Sequence, residues 1–93
     1  MNTITSAQFK ELTQVLYAKD IVDSMDDVEV EEHSGYAPRI AITMSQGIDM
    51  AVQCGAAIGS IPELAHLVKN AVVEGDCRIG TVYIDNYKVE EAA

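Results

Sequence analysis

Seven carboxylates, Asp20, Asp23, Asp26, Asp27, Glu29, Glu31 and Glu32, are crowded into one short stretch, and no Lys or Arg lies between Lys19 and Arg39. Like charges without counterparts repel one another on a folded surface, whereas solubility alone is served by mixed signs. A run of this kind suits attraction to a basic surface. The plainer reading is a solvated face that keeps the chain soluble. Tyr36 follows in the turn Ser34-Gly35-Tyr36-Ala37-Pro38. Charges supply on-rate and specificity while buried aromatics carry affinity, so Tyr36 is the expected anchor. The partner-binding set expected from the sequence is therefore Asp23, Asp26, Asp27, Glu29, Glu31, Glu32 and Tyr36. Alternate strand residues such as Glu29 and Glu31 lie about 6.7 Å apart, against one charge per ~3.4 Å along each strand of duplex DNA. The strand alone is too sparse to imitate DNA, and docking into a basic groove needs less geometry.

Other reactive residue types carry less. Cys54 shares the parity of Ile48, Met50 and Val52 and reads as core, while Cys77 in Asp76-Cys77-Arg78 has one neighbour that would lower its pKa and one that would raise it. His33 and His66 lack the paired spacing of metal-binding histidines and read as surface residues. The segment Gly55 to Ser60, placed between an expected strand and an expected helix, could hold an anion on backbone amides. It lacks the Lys-Ser/Thr of a P-loop and the third glycine of a dinucleotide fingerprint. No catalytic residue, metal site or cofactor is expected.

The elements that must position the acids follow from periodicity. Thr5 caps a first helix with Gln8 closing a capping box and Ile4 stapled to Phe9. Phe9, Leu12 and Leu16 share a helical face that Ile21, Val22 and Met25 do not, so the helix breaks near residues 18–20 and Asp20 caps a short second piece to Met25. Val28 and Val30 alternate with Glu29 and Glu31 as in a half-wet strand. Ile40, Ile42 and Met44, the turn Ser45-Gln46-Gly47, and Ile48, Met50, Val52 and Cys54 predict a hairpin, with Thr43 on its outward parity. Ser60-Ile61-Pro62-Glu63 opens a helix with a buried stripe of Ile61, Leu64, Ala65, Val68, Ala71 and Val72, ended by Gly75. Val82 to Val89 reads as a C-terminal strand or hairpin turning at Asp85-Asn86, with a helical turn begun at Asp85 as the competing reading. The class is α+β: a broken N-terminal helix, a three-stranded antiparallel sheet, a second helix and a C-terminal strand or hairpin.

Composition narrows the function. Ninety-three residues, 48% hydrophobic against 23% charged, describe one folded domain. A net charge of −9 opposes direct binding to nucleic acid or to anionic membrane. The element order resembles double-stranded-RNA-binding domains, but the basic residues that grip phosphate near the start of their last helix are missing here. No apolar stretch spans a membrane or forms a signal peptide, so a cytoplasmic protein with reduced thiols is expected.

In size, charge and the acidic run from Asp20 to Glu32, the chain resembles a class of small phage-encoded anti-defence inhibitors, notably anti-CRISPR and anti-restriction proteins. The resemblance implies a non-enzymatic inhibitor acting in the host cytoplasm, whose partner is a basic protein or nucleoprotein complex and whose action blocks a nucleic-acid-binding or nuclease site. Immunity proteins and antitoxins share these features. A self-associating regulatory or assembly subunit, homodimeric through an apolar face, is the alternative.

Overall fold

The computed structural model describes residues 2–32 and 34–91. The fold is of the α+β class, in the order β1 (Asn2–Thr5), α1 (Ser6–Ala18), a 3-10 turn (Met25–Asp27), β2 (Val28–Glu31), β3 (Arg39–Met44), α2 (Ile48–Gly59), a second 3-10 segment (Ala65–Asn70), β4 (Ala71–Gly75), β5 (Gly80–Asp85) and β6 (Tyr87–Glu90). Four strands form an antiparallel sheet in the order β2-β3-β5-β4, and β1 pairs with β6 in a separate parallel ribbon. On one sheet face Ile40, Ile42, Met44, Val82 and Ile84 are fully buried. Leu12 and Leu16 of α1, Cys54 and Ile58 of α2, and Leu64 and Leu67 complete the same cluster. Arg39, Ala41 and Thr43 of β3 lie on the opposite face, because successive strand residues point to opposite sides.

Local chemistry at the first helix follows the residues. Thr5 Oγ1 accepts from the Gln8 N–H (3.1 Å) and Gln8 Oε1 accepts from the Thr5 N–H (2.9 Å), so the box satisfies two donors that a helix start leaves unmet. Ile4 is buried and Phe9 packs on the core. α1 ends at Ala18, and Asp20 turns the chain with φ of 57°. The break is where the sequence puts it. The short helix expected from Asp20 to Met25 is replaced by bends, and Ser24, not Asp20, caps the 3-10 turn that follows.

Three further expectations are corrected. The segment from Ile48 is not the second arm of a hairpin; it is α2, and β3 pairs instead with β2 and β5. Its apolar residues fit period two, but Ala51, Cys54 and Ile58 also recur at i, i+3 and i+7, and that stripe is the buried one. Gly47, at φ of 90°, makes the turn, and a Cβ there would sit 2.7 Å from the Cys77 carbonyl oxygen. Ser60 does not open a helix: its hydroxyl donates to the Ala57 carbonyl (2.7 Å) and closes α2. The expected stripe beyond it divides into a turn, the 3-10 segment and β4. Leu64 and Leu67, three apart as that tighter helix requires, are buried, whereas Val68 is exposed. The valines Val72 and Val73 then favour a strand. Lastly, β5 and β6 are strands meeting at Asn86 (φ 62°), which excludes the helical turn, yet they do not pair as a hairpin. Asn2 registers with Tyr87 across the parallel ribbon, and the Tyr87 N–H donates to the Pro38 carbonyl (3.1 Å).

Candidate functional site: the acidic rim at strand β2

β2 is an outermost strand of the four-stranded sheet, and among the described residues nothing pairs with its outer side. The chain reaches it through a capped turn. Ser24 Oγ accepts from the Asp26 N–H (3.2 Å) and Asp27 Oδ2 accepts from the Ser24 N–H (3.1 Å). This box fixes the entry angle of β2 and occupies the Asp27 carboxylate. Asp23 accepts from the Ser45 hydroxyl, tying the bend before the turn to the end of β3. Val28 is buried behind the rim and Glu29 stands exposed in front of it.

Glu31 is also engaged. Its Oε1 accepts from Arg39 Nε at 2.7 Å, and the same guanidinium lies 3.9 Å over the Tyr83 ring. The register explains the grouping: Glu31 sits opposite Arg39 across β2–β3, and Arg39 opposite Asp85 across β3–β5. The Arg39 pKa is raised, first by its hydrogen bond to Glu31 and then by attraction to nearby acidic groups, partly opposed by desolvation. This cross-strand cation is not visible in sequence, where Arg39 marks only the end of the acidic run. The outward parity of Arg39, Ala41 and Thr43 was the one available signal.

The seven expected residues thus divide. Asp23, Asp27 and Glu31 serve the fold, while Asp26, Glu29 and Glu32 are exposed and none of the ion pairs among the described residues involves them. Tyr36 is 78% exposed and lines an open cleft of about 430 Å³ with Ala37, Arg39, Asp85 and Asn86. At the other end of β2, Asp20 and Asp23 line a second groove with Tyr17, Val22 and Gln46. The acids therefore form a rim running the length of the edge strand, ending at an aromatic beside a cleft.

The remaining candidates resolve simply. Cys54 is buried, and desolvation pushes its thiol up to about 12, so no thiolate forms at neutral pH. Cys77 is exposed in the β4–β5 turn and not at a helix exit. There Asp76 Oδ1 accepts from the N–H groups of Arg78 (2.7 Å) and Ile79 (3.0 Å), which hold its carboxyl below the usual range, the Ile79 bond most strongly. His66 packs its ring against Tyr87, with centroids 5.9 Å apart, and the expectation for His33 lies outside the described residues. Gly55 to Ser60 is the last turn and cap of α2, not a strand-to-helix loop, so the anion site considered there has no helix N-terminus to stand on. Among the described residues no three His, Cys, Asp or Glu side chains converge as metal ligands would, and no helix is long and apolar enough to cross a membrane.

No family model, characterised protein or solved structure matches the chain.

Proposed function

We propose that the protein is a non-enzymatic inhibitor that lays the acidic rim of β2 on a basic protein surface and so obstructs a nucleic-acid-binding or nuclease site, in the manner of anti-CRISPR proteins. The observation that carries this reading is the position of β2: an edge strand whose exposed acids, Asp26, Glu29 and Glu32, take part in none of the ion pairs among the described residues. Asp23, Asp27 and Glu31 add to the field while holding the rim in shape. Tyr36 then gives the interface an apolar anchor at one end of the rim. Its exposed ring and the carboxylate of Asp85 flank the cleft, which suits the stem and head group of an arginine or lysine from the partner. Arg39 does not oppose such a guest strongly, because Glu31 and the Tyr83 ring already engage it.

Capture from a lysate, with the eluate resolved by salt, tests the proposal. The purified chain should retain a nuclease or nucleic-acid-binding complex at about 50 mM salt and release it at about 500 mM, since screening shortens the reach of exposed charges to a few ångströms. Retention of a partner with no nucleic-acid-binding activity, undiminished at high salt, would contradict it.

A further inference from the structure

The backbone of β2 has hydrogen-bonding groups to spare, and the sheet register says which. The Asp76 N–H donates to the Ile79 carbonyl at 3.0 Å, so Asp76 and Ile79 are a bonded pair of the β4–β5 ladder. Bonded and unbonded pairs alternate along antiparallel strands. Followed across the sheet, Thr81 and Tyr83 turn their N–H and C=O groups to β4, Val82 and Ile84 theirs to β3, and Arg39 and Ala41 theirs to β2. Glu29 and Glu31 answer those two residues, which leaves Val28 and Val30 directing their groups outward. The Val28 N–H is taken by the Met25 carbonyl of the preceding turn, as that direction requires. The Val28 carbonyl and both groups of Val30 have no backbone partner outside the sheet among the described residues.

The side chains along the same edge alternate in kind. Glu29 and Glu31 stand opposite Ala41 and Arg39 and share their face, whereas Val28 and Val30 stand opposite Ile42 and Ile40 on the core face. Val28 is buried and Val30 half-buried. The edge thus offers one acidic side and one apolar side, with Asp26 before it and Glu32 after it adding charge of the same sign. The cleft beside Tyr36 opens at the Glu31–Arg39 end of the β2–β3 pair.

We infer that an extended segment of the partner joins β2 as a fifth strand of the sheet, its arginine or lysine side chains alternating with apolar ones. The inference rests on the proposed function and adds the form in which the partner meets the rim. Charge selects the occupant. A second copy of β2 would set Glu29 and Glu31 against their own kind, and charged edge strands keep like edges from pairing in this way. The same acids attract a strand of opposite sign. In strand addition the main-chain bonds supply affinity and the alternate side chains supply specificity. Here the basic residues of the added strand lie beside Glu29 and Glu31, and its apolar residues extend the face of Val28 and Val30.

The test titrates the intact, nitrogen-15-labelled chain with a synthetic peptide of alternating arginine and valine, beside an isomer of the same composition with all its arginines at one end. The alternating peptide should bind about tenfold or more tightly than the isomer, and the Val30 amide should exchange quickly with solvent in the free protein and slowly in the complex. Val30→Pro removes a donor that β3 does not use, so it should keep the far-ultraviolet spectrum and lose about tenfold or more in affinity for the alternating peptide. Equal binding of the two peptides, no binding of the alternating one up to about 1 mM, or an unprotected Val30 amide in the complex would each overturn the inference. So would a folded Val30→Pro that binds as the parent does. Should that variant not fold, the Val30 amide of the parent decides alone. The two readings fail separately: a captured partner that is weakened by Glu29→Lys but indifferent to Val30→Pro removes strand addition and leaves the acidic rim standing, whereas indifference to charge reversal removes the rim itself.

Discussion

Ile42 and Thr43 are neighbours in β3, but Ile42 is wholly buried between sheet and helices while Thr43 is exposed on the opposite face. Ile42→Ala should therefore cost about 2 to 5 kcal/mol, the usual penalty for truncating a buried isoleucine. Thr43→Ala should cost under about 0.5 kcal/mol. Coincident urea midpoints for the two variants would contradict the register. The cysteines give a second test. Brief alkylation followed by mass spectrometry should label Cys77 and spare Cys54 in the folded protein, because one thiol is exposed and the other buried. Cys54 also sets an alkaline limit. Its folded-state pKa lies above its ordinary value, so burial of the neutral thiol stabilises the fold fully below about pH 9, and that contribution is lost as pH rises towards about 12. The loss approaches about 1.4 kcal/mol per pH unit in that window. Cys54→Ala should show a shallower decline of denaturation midpoint from pH 9 to 11 than the parent, and parallel slopes would show that the thiol is not a buried titrating group. Cys54 was legible as core in the sequence even though its element was not, because it belongs both to the period-two set with Ile48 and to the helical set with Ala51 and Ile58.

That double membership shows where the sequence stops determining the elements. β2 and β3 were legible because their alternation has no helical competitor, and the start of α1 because the Thr5–Gln8 capping box, the Ile4–Phe9 staple and the stripe of Phe9, Leu12 and Leu16 all agree on a helix there. From Ile48 onward, short apolar runs satisfied both periods, and tertiary contacts decided between them. The Ser60-Glu63 pattern copied a helix start without becoming one, since α2 already claims Ser60 as its end. Strand pairing was the least legible part. Nothing local in Tyr87–Glu90 says that it runs parallel to Asn2–Thr5, and without register the grouping of Glu31, Arg39 and Tyr83 could not be drawn. The β4–β5 turn supplies the test at this scale. Gly75 has φ of 136°, and a Cβ there would fall on the Ile79 carbonyl and within 2.8 Å of Gly80 Cα. Gly75→Ala should lower stability by about 1 to 3 kcal/mol through strain at a conformation that L side chains avoid, read as a shift in thermal or urea midpoint. An unchanged midpoint would mean the turn is not held as described.

At the scale of the whole molecule, the two open borders of the sheet differ: β2 carries the acidic rim, whereas β4 exposes Val72 and Val73 beside a single acid, Glu74. Composition made the charge legible, and the sequence run placed most of it near residues 20–32. What it could not give was the division of labour within the run. Glu31 and Asp27 are held by Arg39 and by the Ser24 cap, so reversing them would disturb the fold together with any docking. Exposed Asp26, Glu29 and Glu32 can be reversed without breaking a side-chain bond within the described residues. The decisive measurement is the affinity of the captured partner for Asp26→Lys/Glu29→Lys/Glu32→Lys beside a control, Glu11→Lys/Glu63→Lys/Glu91→Lys, whose three exposed acids lie elsewhere on the surface. Both variants carry the same altered net charge. Docking through the β2 rim predicts that the first loses about 100-fold or more in affinity, as close interfacial charge pairs couple by about 1.5 kcal/mol or more, while the control stays within about threefold of the parent. Equal losses in the two variants, or full binding by both, would contradict it.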